Sequence, residues 1–262
     1  MRSLAVFAAV LVATAAVANA AELPDLNGRT VVAVTENAYT PLNFADPKTG
    51  EGIGWEYDAF NQIAERLNLK VEWKLSSWDT MIQGVQQGLY DVGMDGISIT
   101  DERSKQVDFS DPYMISQQFM LVQADEDRFG NAAELGAGDF LIGAQAGTTN
   151  FYTALEVTGT DDSNPSPRIK LFDTFGATVA ALKAGDVDAV FMDNASAAGY
   201  MGASPNSFKI AGEPIGHDAF GFIFQKGSDL VAPVNAAIAS MKDDGTLESL
   251  NKKWFFDYNN QQ

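Results

Sequence analysis

The chain has 262 residues, a formal net charge of −18 at neutral pH, no cysteine and a single histidine, His217. Such an acidic surface repels nucleic acid and anionic membranes, so we expect neither as a partner. The lack of cysteine excludes disulfides, thiol chemistry and a lipid anchor on a cysteine. One histidine argues against histidine-rich metal sites and a Ser-His-Asp triad, and we expect no metal or other cofactor.

The first 20 residues have the pattern of a secretory signal peptide. Arg2 gives a positive start, residues 4–17 are apolar, and residues 18–20 (Ala-Asn-Ala) match a small-x-small cleavage site. No later apolar run approaches the length that spans a bilayer. We therefore expect an exported protein that is cleaved near Ala20.

Short apolar strands alternate with helical patterns in the first half of the mature chain. The predicted strands are residues 30–34, 71–75 and 91–94, and the predicted helices are residues 55–67 and a segment marked by Met81, Ile82, Val85 and Leu89 that ends near Gly88. This rhythm predicts a parallel or mixed α/β sheet with helices on both faces.

The same rhythm returns later in the chain, which suggests two lobes of related architecture. The predicted strands here are residues 140–144, 169–172 and 188–192, the helices are residues 148–157, 175–183, 230–241 and 246–256, and residues 158–168 form a surface loop. The last two helices are expected to pack on the first lobe.

Two further apolar stretches, residues 118–123 and 219–225, are predicted to be crossover strands between the lobes. Lobe 1 would then contain residues 21–117 and 218–262, and lobe 2 residues 118–217. Ligands bind beyond the carboxyl ends of strands in open α/β sheets. Two lobes with facing strand ends would form a cleft that closes by hinge motion.

Residues 95–113 carry the strongest functional signal. A strand leads into this segment, and a short helix follows with free backbone N–H groups, which suit an anion. Ser98 and Thr100 supply hydroxyls, and Arg103 supplies a planar fork that matches a carboxylate. The segment predicts a pocket that grips the carboxylate of a small molecule.

Several motifs occur in a fixed order along nearly the whole mature chain. They are GWEYD at residues 54–58, ISITDER at 97–103, FSDPY at 109–113, GTT at 147–149, AGDVDA at 184–189, and DGT at 244–246 followed by KW at 253–254. In these motifs the chain resembles the amino-acid-binding family of bacterial ABC-transporter solute-binding proteins, family 3. The resemblance implies the type II periplasmic-binding-protein fold, with two α/β lobes, two crossover strands and a ligand cleft between them. It also implies a periplasmic protein that delivers an amino acid to a membrane permease and its ATPase, and we expect this protein to be a monomer.

The resemblance implies ligand-binding roles residue by residue. Arg103 matches the carboxylate-binding arginine, and Gly96 and Ser98 match positions that offer backbone and hydroxyl groups. Thr148 and Thr149 match the second lobe's half of the carboxylate clamp. From the residues alone, either threonine could simply cap the helix that follows.

Four more positions belong to the ligand-binding set that we expect. Asp193 matches the acid that holds the α-ammonium, although it could also cap the helix that begins at Asn194. Tyr39 and Trp78 match aromatic residues that flank the ligand side chain, although either could be a core residue. Gln145 is also expected in the ligand site.

Two acids bear on specificity. Glu36 stands where an acid in binders of basic amino acids meets the ligand's side-chain cation, and Asp95 stands where a small hydroxyl residue is frequent. Both favour a polar or cationic ligand, such as arginine, lysine, ornithine or an opine. The alternative for Asp95 is a pairing with protein groups at the strand end.

Three functions therefore compete. The leading hypothesis is a binding protein that performs no chemistry and is not an enzyme. The second is an enzyme similar to cyclohexadienyl dehydratases, in which Glu36, Asp95 or Asp193 would need a raised pKa. The third is a sensor component that presents its ligand to a membrane receptor.

Overall fold

The computed structural model describes residues 22–258. The predicted signal peptide and its cleavage site lie outside these residues. In the described part of the chain, no helix combines the length and the apolar character needed to cross a membrane.

The first part of the chain builds most of one sheet and a small separate sheet. Its elements are β1 (Arg29–Thr35), β2 (Ala38–Tyr39), β3 (Asn43–Ala45), β4 (Gly52–Ile53), α1 (Trp55–Arg66), β5 (Leu69–Leu75), α2 (Trp78–Gln86), β6 (Val92–Gly93), α3 (Asp101–Ser104) and β7 (Asp108–Phe109). Strand β1 pairs in parallel with β5 and β6, as the alternating pattern predicts. Strands β2, β3 and β4 form an antiparallel three-stranded sheet that was not predicted.

The middle of the chain builds the second five-stranded sheet. Its elements are β8 (Met114–Gln123), α4 (Ala132–Ala137), β9 (Ile142–Gln145), α5 (Thr149–Thr158), β10 (Ile169–Phe172), α6 (Phe175–Ala184), β11 (Ala189–Asp193), α7 (Asn194–Ala203) and β12 (Phe208–Phe220). The strand order is β10-β9-β11-β8-β12, with β8 antiparallel to both of its neighbours.

The chain then returns to the first sheet and ends in helices. The remaining elements are β13 (Ile223–Phe224), α8 (Val231–Asp243), α9 (Thr246–Asn251) and a π-helical segment, Lys252–Asp257. Strand β13 completes the first sheet, whose order is β5-β1-β6-β13-β7. Helix α1 packs its buried face on this lobe: the ring of Phe60 meets that of Phe222 edge to face, with ring centroids 5.6 Å apart.

The second crossover strand differs from its prediction. Residues 219–225 are not one strand: β12 ends at Phe220, and Ile223–Phe224 forms the short strand β13 in the other sheet. The earlier part of β12 contains Gly212, Pro214 and Gly216, which read as strand breakers in the sequence. Here they lie in or beside a shift in the β8–β12 register between Ala211 and Gly216, which the long pairing with β8 tolerates.

The strand ends position the site. Glu36 follows β1, and Asp95 and Gly96 follow β6, all at the carboxyl edge of the first sheet. Gln145 ends β9 and Asp193 ends β11, at the corresponding edge of the second sheet. Because parallel strands present their carboxyl ends at one edge, each lobe directs these groups toward the other.

Candidate functional site

A cavity with about 440 Å³ of empty space lies between the two lobes. All eleven residues expected in the ligand site line it: Glu36, Tyr39, Trp78, Asp95, Gly96, Ser98, Arg103, Gln145, Thr148, Thr149 and Asp193. Four lining residues were not predicted: Asn150, Phe175, Asp218 and Phe220.

Arg103 is the cationic group of the cavity, and it is 8% exposed. Thr100 caps α3 by accepting a hydrogen bond from the Arg103 backbone N–H, and the Arg103 side chain lines the cavity. Nη1 donates to the carbonyl oxygen of Ser98 at 3.0 Å, and Nη2 donates to that of Gly147 at 3.2 Å. The guanidinium also lies 5.0 Å from the ring centroid of Trp78, a cation–π distance. Burial lowers the pKa of Arg103 to about 10, so it stays charged at neutral pH.

The two threonines of the second lobe take different roles. The Thr148 hydroxyl accepts from the backbone N–H of Phe151 at 3.1 Å and donates to the Gln145 carbonyl at 2.8 Å, so it caps α5 as the alternative proposed. The Thr149 hydroxyl instead faces the cavity, 3.3 Å from the Ser98 hydroxyl. Thr149 and Ser98 therefore bring hydroxyls from both lobes to the same place beside Arg103.

Asp193 is 2% exposed and accepts hydrogen bonds from both lobes. Its Oδ1 accepts from the Ser196 backbone N–H at 2.9 Å and so caps α7, and its Oδ2 accepts from the Tyr39 hydroxyl across the cleft. Burial, followed by the charge of Asp193, raises the pKa of Tyr39 well above its usual range. The ring of Tyr39 meets that of Phe175 edge to face at 4.7 Å, so this part of the cavity wall is aromatic.

Glu36 and Gln145 form a second contact across the cleft. Gln145 Nε2 donates to Glu36 Oε1 at 3.1 Å and to the Asp173 carbonyl at 2.8 Å. Glu36 Oε1 also lies 3.3 Å from the backbone nitrogen of Trp78, which donates to it. Burial raises the pKa of Glu36 despite these hydrogen bonds.

Asp95 is 7% exposed, and its Oδ1 has no hydrogen-bond partner among residues 22–258. Burial is the main cause that raises the pKa of Asp95 well above its usual range, and the charges of Glu36 and Glu56 add to it. The alternative holds in part, because hydrogen bonds from the Asn43 side chain and from the Glu36 backbone lower the pKa of Asp95. A buried acceptor without a donor is costly to the fold, and Oδ1 is in that position in this ligand-free structure.

A buried carboxylate supports the loop that carries Gly96. Glu56 accepts from the Gly96 backbone N–H at 2.9 Å, from Asn43 Nδ2 at 2.7 Å and from the Tyr113 hydroxyl at 2.5 Å. Gly96 has a φ of 57°, and a Cβ there would lie 2.6 Å from the ring of Tyr39. Only glycine fits this turn at low cost, because the backbone is left-handed and the aromatic ring is close.

Asp218 is the most informative residue that the sequence did not reveal. It is half-buried on β12, and burial raises its pKa. It was missed because β12 itself was not predicted over that segment, and it stands in no motif of the resemblance. With Asp218, four carboxyl groups line the cavity around the single arginine: Glu36, Asp95, Asp193 and Asp218.

Among the described residues, no group of three or more His, Asp or Glu side chains is arranged to hold a metal ion. The cavity walls are carboxyl, hydroxyl, amide, guanidinium and aromatic groups. Such a set binds a small molecule with both charges by ion pairs, hydrogen bonds and ring contacts.

Comparison with known proteins places this geometry in a family. The family of bacterial extracellular solute-binding proteins, family 3, matches residues 31–257. The L-cystine-binding protein TcyA of Bacillus subtilis is 30% identical over 223 residues, which cover 84% of this chain and 79% of TcyA. An ancestral arginine-binding protein solved with arginine is 36% identical and superposes with a TM-score of 0.78 over 86% of this chain and 98% of its own.

A further solved structure bears on the enzyme hypothesis. The ancestral amino-acid-binding protein AncCDT-1, described as a precursor of cyclohexadienyl dehydratase, is 32% identical with a TM-score of 0.77. The superposition covers 86% of this chain and 95% of AncCDT-1. The fold is thus the type II periplasmic-binding-protein fold that the resemblance implied, and the chain belongs to the bacterial extracellular solute-binding proteins of family 3.

Proposed function

We propose that this protein binds an amino acid with a cationic side chain, as the solute-binding component of an ABC importer. One observation carries the choice of ligand: four carboxyl groups surround one arginine in the cavity. The arginine and one carboxylate balance the two charges of the amino-acid backbone. The remaining carboxyls then lack a counter-ion, and a ligand with a further positive group supplies one.

In this proposal the ligand's two ends meet groups from both lobes. Its α-carboxylate lies at Arg103, Ser98 and Thr149, and its α-ammonium lies at Asp193. Its side-chain cation extends to Glu36 and Asp95. A ligand held by both lobes stabilises the closed arrangement over an open one, which is the differential affinity that a population shift requires.

The relatives support the class of ligand but differ in the individual one. Proteins similar to this chain include binders of cystine, glutamine, histidine and arginine. The charge of the cavity is therefore the stronger argument, and it favours arginine, lysine or ornithine over cystine and glutamine.

We also propose that the protein is not an enzyme. The similarity to a dehydratase precursor and the raised pKa of Asp95 give the enzyme hypothesis a specific basis, since a protonated carboxyl could act as a general acid. A cationic ligand opposes this role because it favours the ionised form of the same carboxyl. The test is prephenate turnover by the purified protein, and measurable phenylpyruvate formation would establish the enzyme.

The remaining expectations follow from the family and the leader sequence. We propose that the chain is cleaved near Ala20, that the mature protein acts as a monomer in the periplasm, and that its partners are a membrane permease and an ATPase. Mass spectrometry of the exported protein tests the cleavage site, and light scattering tests the monomer.

The decisive experiment is calorimetric titration of the mature protein, refolded once to remove carried-over ligand. We expect L-arginine, L-lysine or L-ornithine to bind more tightly than L-glutamine and L-cystine. Glu36→Gln should weaken cationic ligands by roughly tenfold or more and L-glutamine much less, since it removes a charge that faces the side chain. Glu213→Gln, at an exposed position of β12, is the matched control and should change neither. The proposal of a cationic ligand would be refuted if wild type bound a neutral amino acid most tightly, or if Glu36→Gln weakened cationic ligands and L-glutamine by the same factor.

A further inference from the structure

Asp218 and Asp193 stand on the two strands that flank β8. In the sheet register, Asp218 of β12 lies opposite Ser116 of β8, and Asp193 of β11 lies opposite Gln118. Ser116 and Gln118 are two residues apart and both are buried, so they share one face of the strand. Ser116 Oγ lies 3.5 Å from Asp193 Oδ1. The two carboxyl groups therefore occupy neighbouring places on one wall of the cavity.

Asp218 also contacts the groups that would hold the ligand's carboxylate. Its Oδ2 accepts from the Thr149 hydroxyl at 3.4 Å, and that hydroxyl is 3.3 Å from the Ser98 hydroxyl. Burial is the largest cause acting on the pKa of Asp218 and raises it, and the negative charge of Asp193 adds to this, while a hydrogen bond from the Ser98 side chain and the positive charge of Arg103 lower it. A protein carboxyl thus stands within the electrostatic reach of the guanidinium.

This position affects any anion that enters. A carboxylate that binds Arg103 comes close to a second carboxyl, and like charges held together in a partly buried site repel each other strongly. A ligand that also carries a positive group beside its carboxylate removes this repulsion, because the positive group lies between the two acids. Specificity then comes from repulsion by Asp218 as well as from attraction by Arg103.

We propose that Asp218 is a specificity-determining residue of the carboxylate site formed by Arg103, Ser98 and Thr149. Because of Asp218, this site accepts a carboxylate only when the ligand also places an ammonium beside Asp193 and Asp218. This inference deepens the proposed function and rests on it. It assigns to Asp218 the rejection of carboxylic acids that lack an α-ammonium.

A purely structural role is the competing explanation, since Asp218 could do no more than orient Thr149. The two roles differ in what they do to selectivity. Loss of orientation weakens every ligand that uses the carboxylate site by a similar factor. Loss of the repulsion improves the binding of carboxylates without an ammonium, relative to the amino acid.

The test compares L-arginine with δ-guanidinovalerate, which keeps the carboxylate and the guanidinium but lacks the α-ammonium. Calorimetric titrations of the refolded wild type and of Asp218→Asn give the ratio of the two affinities. We expect wild type to prefer L-arginine strongly, and Asp218→Asn to reduce this preference by roughly tenfold or more with measurable gain for δ-guanidinovalerate. Glu213→Gln removes one charge from the exposed side of β12 and should leave the ratio unchanged.

The outcomes separate this inference from the proposed function. An Asp218→Asn variant that keeps the wild-type ratio, or that still fails to bind δ-guanidinovalerate, overturns the role of Asp218. A wild type that binds L-glutamine but no cationic amino acid refutes the proposed ligand only, and the same ratio is then measured with L-glutamine and glutaramate. A wild type that binds no amino acid overturns both.

Discussion

Arg103 and Gly147 join the two lobes through one hydrogen bond: Nη2 of the guanidinium donates to the glycine carbonyl oxygen at 3.2 Å. The other terminal nitrogen, Nη1, donates to the carbonyl oxygen of Ser98 in the same lobe at 3.0 Å. The side chain proposed to bind the ligand's carboxylate thus also contacts the second lobe. Under this proposal, the same residue binds the ligand and holds the two lobes together.

Arg103→Lys is expected to weaken amino-acid binding by about a hundredfold, although it keeps the charge. A lysine ammonium cannot reproduce the planar fork that reaches two acceptors and a carboxylate. Titration calorimetry measures the loss. Arg29→Lys is the control, because Arg29 pairs with Asp229 at an exposed position, and it should bind as wild type does. Near-normal affinity in Arg103→Lys would contradict the carboxylate-binding role.

Binding of a cationic amino acid should weaken as the pH falls from about 8 to about 5. Burial raises the pKa of Glu36 and of Asp95, so both carboxyls protonate at milder acidity than ordinary ones. The cationic ligand favours their ionised forms, and protonation therefore opposes binding. Each coupled proton raises the dissociation constant by up to about tenfold per pH unit.

The measurement is the dissociation constant of L-arginine over this range, with L-glutamine as the comparison ligand. L-glutamine has no side-chain cation and should show a smaller slope. Equal slopes for the two ligands would show that the acids do not face the side chain.

Asp95→Asn should stabilise the ligand-free protein at about pH 8, by about 1 kcal/mol or roughly 2–4 °C in melting temperature. The sign follows from the raised pKa of Asp95 in the fold: the unfolded chain releases this proton more readily than the folded one, so wild type loses stability as the pH rises above the ordinary range of an aspartate. As the pH falls back into that range, the gain from Asp95→Asn should shrink. The control is Asp162→Asn at an exposed position. A loss of stability in Asp95→Asn at about pH 8 would contradict the prediction that the buried carboxylate opposes folding.

Gly96→Ala should destabilise the fold and weaken ligand binding, since its φ of 57° is left-handed and a Cβ would lie 2.6 Å from the Tyr39 ring. Gly50→Ala is a matched control, with a φ of 75° and no atom within 4 Å of the added Cβ. The backbone cost should be roughly 1–2 kcal/mol in both, and the clash should add about 1–3 kcal/mol in Gly96→Ala alone. Chemical denaturation measures the free energy of unfolding of both variants. Equal losses in Gly96→Ala and Gly50→Ala would show that the Tyr39 ring moves aside at no cost.

The sequence predicted most of the elements that carry the site, because their patterns are local. The helical spacing of apolar residues predicted α1 within a residue, and the β-branched run predicted most of β1. The ligand-site residues came mainly from the resemblance to the family, position by position, and all of them line one cavity. Their individual contacts with a ligand stay predictions.

Pairing between distant segments decided what the local pattern could not. Strand β12 contains residues that usually end strands, and its antiparallel register with β8 holds it in place across the shift after Ala211. Asp218 enters the cavity through that pairing, so no local signal could have revealed it.

The sequence by itself determined the family, the α/β alternation and the residue types available to bind a zwitterion. Each of these depends on short motifs or on the periodic spacing of hydrophobic residues. The tertiary structure alone decided which acids share a cavity with Arg103, that Asp95 Oδ1 has no donor among the described residues, and that Asp218 stands beside Thr149. The physical reason is that burial and charge proximity depend on groups far apart in the chain. Those distances exist only after the two sheets have formed and the lobes have met.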